Sequence, residues 1–76
     1  MNNAGRKQIE ELIDKLEGIK GEIEEMQSAE QEKFDNLSEG LQQSERGQGY
    51  EQAAEYLQTA VDSIDEALSN LESARE

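Results

Sequence analysis

The sequence predicts an all-α protein: a two-helix antiparallel αα-hairpin that assembles as a homo-oligomer, most simply a dimeric four-helix bundle. Three observations point there. Two long stretches carry apolar residues at alternating +3 and +4 steps, the spacing of a coiled-coil seam. No proline interrupts either stretch. A short Gly-, Ser- and Asn-containing segment separates them, which is turn chemistry.

The first stretch places Ile9, Leu12, Leu16, Ile19, Ile23 and Met26 on one seam, with Ile13 widening it. The gaps hold Glu, Lys and Gln, all good helix formers. Gly18 and Gly21 are weak points, each costing up to about 1 kcal/mol relative to Ala. Asn2 or Asn3 is the candidate N-cap. After Met26 the next large apolar residue is Phe34, and this +8 step reads as a stutter in the heptads. The first helix is expected at about residues 4–36.

Residues 34–47 read FDNLSEGLQQSERG. Asn36 and Gly40 are residues that tolerate positive φ and so end helices. Ser38 and Ser44 are candidate N-caps. Leu37 and Leu41 are one helical turn apart and suited to closing the open end of a hairpin. A turn is expected over 37–43.

The second helix is expected from about 45 to 74, with Gly47 and Gly49 delaying or fraying its start. It contains a short repeat: AEYLQTA, VDSIDEA, LSNLESA. One seam is Ala54, Leu57, Val61, Ile64, Leu68 and Leu71. A second is Ala53, Leu57, Ala60, Ile64, Ala67, Leu71 and Ala74. Alanine recurring every seven residues lets a neighbouring backbone approach closely, beyond alanine's own helix preference.

At about 1.5 Å per residue each helix is roughly 45–48 Å long. Two helices cannot enclose a core, and a chain of 76 residues needs a staple, a metal or a partner copy. Cysteine and histidine are absent, which leaves oligomerisation. The residues expected at that interface are Ile9, Leu12, Leu16, Ile19 and Ile23 of the first helix. From the second they are Leu57, Ala60, Val61, Ile64, Ala67, Leu68, Leu71 and Ala74. The sustained heptads argue against disorder, the competing reading of an acidic, weakly hydrophobic chain.

The same absences remove disulfides, thiolate zinc sites, Cys nucleophiles and His-dependent catalysis. Carboxylates are abundant, but the Glu-x-x-His pattern of di-metal bundles and the Ca²⁺-loop pattern are missing. Ser44 has no nearby base, and Gly47-Gln48-Gly49 is not a phosphate loop. No enzymatic activity, no metal and no cofactor are expected.

The net charge is −12. Residues 1–33 carry nine acids and five bases; residues 34–74 carry nine acids and one base, Arg46. Such a surface repels nucleic acid and anionic membranes and attracts basic proteins. No apolar run spans a membrane or forms a secretory h-region, so a cytoplasmic location is expected. Carboxylates one helical turn apart sit about 5–6 Å from each other. That is close to the spacing of nucleic-acid phosphates, so decoying a DNA-binding protein is physically open.

The turn holds the candidate ligand or partner site: Asp35, Glu39, Gln42, Ser44 and Arg46. Arg46 has two readings. It pairs with Glu39, Asp35 or Glu45 and fixes the turn, or it projects with Gln42 and Ser44 toward a phosphate or carboxylate. In a symmetric oligomer such turns repeat, and a weak site becomes multivalent.

The turn segment resembles that of small acidic helical proteins of unknown function in phage, prophage and bacterial genomes. Their pattern is Phe/Tyr-Asp-Asn-x-Pro-Glu-x-Leu-Gln-x-Ser-Glu-Arg. Phe34, Asp35, Asn36, Glu39, Leu41, Gln42, Ser44, Glu45 and Arg46 fit it, and Ser38 stands where Pro is usual. The resemblance implies a phage-linked accessory role in the host cytoplasm. The expectation is a non-enzymatic interaction protein that binds and inhibits a basic host protein, such as a defence or DNA-binding factor. The alternatives are an oligomeric sponge for a phosphate-bearing nucleotide signal and a structural coiled coil.

Overall fold

A computed structural model describes all 76 residues. Helix α1 spans Asn3–Asp35, the one-turn helix α2 spans Glu39–Gln42, and α3 spans Glu45–Arg75. α1 and α3 pack against each other along their length, with α2 closing one end against α3. They are antiparallel: the Arg6 Nε donates to the Arg75 carbonyl at 3.0 Å, and Lys20 meets Asp65 at 2.7 Å. The result is an all-α helical hairpin with Cα extents of 58 × 15 × 12 Å. Neither long helix is long and apolar enough to cross a membrane.

The caps follow from local chemistry. The Asn2 side chain accepts from the Gly5 N–H at 2.8 Å, pairing one of the free donors at the start of α1. Ser44 does the same for α3, accepting from the Gly47 N–H at 3.3 Å. Ser38 precedes α2 without a side-chain cap bond.

The chain reverses without any positive-φ residue, contrary to the expectation for Asn36 and Gly40. Asn36 has φ −80°, ψ −9°, and Gly40 lies inside α2. The reversal is made instead by two extended residues, Ser38 (ψ 158°) and Ser44 (ψ 167°), one on each side of α2. An extended residue before each helical start redirects the chain twice, so no left-handed cap is required.

Packing uses a seam that passes through polar residues. On α1 and at Leu37 in the turn, the buried and half-buried positions that form the seam are Ile9, Ile13, Leu16, Lys20, Ile23, Gln27, Glu30, Phe34 and Leu37. The steps alternate +4 and +3 throughout, so the stutter expected after Met26 does not occur. Following only large apolar residues skips Lys20, Gln27 and Glu30. Their long stems cover the seam while their polar ends reach water. Lys20 ends in the ion pair with Asp65, and that hydrogen bond raises its pKa above the ordinary 10.5.

The matching seam of α3 is Gly47, Tyr50, Ala54, Leu57, Val61, Ile64, Leu68, Leu71 and Arg75. The buried apolar residues are Ile9, Ile13, Ala54, Val61 and Leu68. Ile9, Ile13 and Leu68 form the central cluster, with Leu16, Ile64 and Leu71 packed on it. Leu41, expected to close the hairpin end, is 54% exposed, while Leu37 is half-buried.

Gly47 and Gly49 do not fray α3; both are helical. Gly47 is buried because the turn folds over it. A Cβ there would sit 2.5 Å from the Leu41 carbonyl oxygen and closer still to that of Gln42. Only a residue without Cβ permits this approach.

Candidate functional site at the inter-helix turn

Asp35, Glu39, Gln42, Ser44 and Arg46 all lie at the closed end of the hairpin, on or between the ends of α1 and α3. Their polar groups have different fates. Gln42 Nε2 donates to the Phe34 carbonyl at 3.2 Å, tying α2 back to the end of α1. Ser44 Oγ donates to the Leu41 carbonyl and accepts from the Gly47 N–H. Asp35 Oδ1 accepts from Gln31 Nε2 at 3.1 Å, one turn earlier on α1. Gln42 and Ser44 thus build the turn, while Asp35 is held along α1 itself. Glu39 opens α2 and is exposed.

Arg46 does not form the expected ion pair with Glu39, Asp35 or Glu45. The ion pairs of the molecule are Lys20–Asp65 and Lys33–Glu30. Glu45 is its sequence neighbour and faces elsewhere on the helix. Tyr50 is four residues on and shares its face. The Arg46 Nε donates to the Tyr50 hydroxyl at 3.1 Å, and the guanidinium carbon lies 5.9 Å from the ring centroid. Lys33, from α1, lies 5.7 Å from the same centroid. Its hydrogen bond to Glu30, at 2.9 Å, holds its pKa above the ordinary 10.5. Two cations thus share one aromatic ring, a stabilising cation–π arrangement.

Lys33 and Tyr50 are members of this cluster that the sequence did not single out. The Arg46–Tyr50 spacing of four was a usable signal. Lys33 reaches the ring from the other helix, which only the fold reveals. Ser44 and Gln42 are engaged with backbone, and the molecule has no pocket. What the turn presents outward is the remaining guanidinium N–H groups of the exposed Arg46, since the Lys33 ammonium is paired with Glu30.

The residues expected at an oligomer interface fall into two sets. Ile9, Leu16, Ile23, Leu57, Val61, Ile64, Leu68 and Leu71 lie in the seam between α1 and α3. Leu12 and Ile19 lie outside it, 41% and 46% exposed, as does Met26 at 58%. Ala60 and Ala67 are half-buried beside the seam, and Ala74 is exposed. No family model matches the chain, and no curated protein or solved structure matches it significantly.

Proposed function

We propose that the chain is a non-enzymatic, homo-oligomeric interaction protein of phage-accessory type. It binds and inhibits a basic host protein, such as a defence or DNA-binding factor, through its acidic surface in the host cytoplasm. The observation that carries this reading is the state of the carboxylates. Of 19 acidic side chains only Glu30 and Asp65 stand in ion pairs, which leaves seventeen without an internal cation. A hairpin gains no stability from that surplus, because like charges repel. An opposite charge on a partner is what the surplus suits.

The test is affinity capture from a bacterial host lysate at low and high salt, repeated with E51Q/E55Q/D62N/E66Q. The expected result is stoichiometric recovery of one basic protein at low salt. That protein is lost at high salt and with the charge-reduced variant, whose circular dichroism stays helical. Recovery unaffected by both changes would refute the acidic-surface reading, as would no recovery at all.

The second reading is a phosphate-bearing nucleotide signal held at the repeated turns, and the Lys33–Tyr50–Arg46 stack favours it. Calorimetric titration with nucleotides, on wild type and on folded Arg46→Ala, decides it. Binding that Arg46→Ala retains would sink the turn as the site.

A further inference from the structure

The flanks of the hairpin seam differ sharply in charge. On one flank lie positions 12, 15, 19, 22, 26 and 29 of α1 and 53, 56, 60, 63, 67, 70 and 74 of α3. Glu22 is the single carboxylate among them. The opposite flank has positions 10, 14, 17, 21, 24, 28 and 31 of α1 and 51, 55, 58, 62, 65, 69 and 72 of α3. Nine of these are Asp or Glu. In an antiparallel pair the residues following each seam in the same heptad sense lie on one side. The Tyr50 ring verifies it. Lys33, seven residues after Met26, and Arg46, seven before Ala53, both lie over that ring.

The acid-poor flank is also where apolar surface is left uncovered. Leu12, Ile19 and Met26 are exposed there, and beside them Tyr56 is 75% exposed. Ala60 and Ala67 line the same flank on α3. A chain of net charge −12 with one long flank nearly free of acid has a surface on which two such chains can meet without bringing carboxylates together.

We infer that this flank is covered by a second copy of the chain, which completes a four-helix bundle. Size matching argues for a copy rather than a foreign partner. The register set by the Arg6–Arg75 contact and by the facing ends of α1 and α3 places Leu12, Ile19 and Met26 within about two residues of the levels of Ala67, Ala60 and Ala53. A two-fold axis along the helices then sets each large residue of one copy over an alanine of the other. The surface is self-complementary, as an isologous interface requires. The hairpin's extents of 58 × 15 Å offer on the order of 800 Å² per copy, the amount each side of a standard stable interface buries. This deepens the homo-oligomeric part of the proposed function, and its test reads only mass and distance, so it fails or stands apart from the basic partner.

The test is sedimentation equilibrium of the full chain, wild type and L12Q/I19Q/M26Q, at micromolar concentration. The wild type should sediment at twice the 8.5 kDa chain mass, and the variant should associate at least about tenfold more weakly. A wild type that stays monomeric overturns the inference. Because the variant can also unfold, a second measurement reads the face directly. The chain has no cysteine, so a spin label at Ser63→Cys or at Gln58→Cys is unique. The distance between copies should be shorter from Ser63, on the acid-poor flank, than from Gln58 on the other. The reverse order would assign the interface to the acidic flank and refute the inference.

Discussion

Gly47→Ala tests the construction of the turn most sharply. Gly47 lies in the first turn of α3, where alanine is ordinarily the better residue. Here the added methyl would enter the space held by the Leu41 and Gln42 carbonyls, the former 2.5 Å away. Both neighbours are backbone, so no side-chain rotation relieves the contact. The Leu41 carbonyl is also held by Ser44 Oγ, and α2 is tied to α1 through Gln42 and Phe34. Forcing a methyl group into filled space costs about 1–3 kcal/mol. Alanine's helix preference returns up to about 1 kcal/mol of that. Backbone contacts this short place the cost at the upper end of that range, so the net expectation is a loss of about 2–3 kcal/mol, which for a chain this short lowers Tm by roughly 8–24 °C.

Gly49→Ala is the internal control. It lies two residues on in the same helix, and a Cβ there meets nothing within 4 Å. It should gain up to about 1 kcal/mol. Thermal and urea unfolding by circular dichroism, at one matched protein concentration because self-association shifts Tm, reads both signs. A Gly47→Ala protein as stable as wild type would refute the close approach of the turn.

Further expectations follow from the same contacts. Gly18→Ala and Gly21→Ala meet nothing within 4 Å and should each raise stability by up to about 1 kcal/mol in thermal melts. Ile13→Ala and Leu68→Ala remove buried core side chains and should each cost about 2–5 kcal/mol by urea unfolding. Ser44→Ala removes the α3 cap and should cost about 1 kcal/mol in the same assay. The Lys20 pKa is raised in the folded state, chiefly by its hydrogen bond to Asp65. Its contribution is therefore fully present below the ordinary 10.5 and is lost as pH rises through the higher folded value. Asp65→Asn should flatten the alkaline limb of a stability–pH curve; an unchanged limb would show that the pair is not coupled to folding.

The long helices were legible in the sequence because heptads of Ile, Leu and Ala are strong periodic signals. Asn2 and Ser44 were legible as caps because their oxygens have an obligatory partner in the next turn. The seam of α1 was not fully legible. Three of its positions are Lys20, Gln27 and Glu30, and a reading by apolarity steps over them onto Leu12, Ile19 and Met26. That slip sorts the residues into those that hold the hairpin and those that remain outside it. The role of Gly47 was hidden because it depends on carbonyls brought over it by the turn, a tertiary contact with no local pattern. At the turn, the sequence brought forward Arg46, Gln42 and Ser44 together, but the fold sends Gln42 and Ser44 to backbone. It joins Arg46 to Tyr50 and Lys33 instead, the latter from the other helix.

We propose an oligomeric hairpin that engages a basic partner. It is tested most directly by native mass spectrometry of tagged protein recovered gently from host lysate. The expected spectrum shows an even number of copies carrying one basic host protein that salt removes. A bare monomer recovered from the same lysate would contradict both the bundle and the partner. A nucleotide-sized adduct lost in Arg46→Ala would replace the basic protein with a small-molecule ligand.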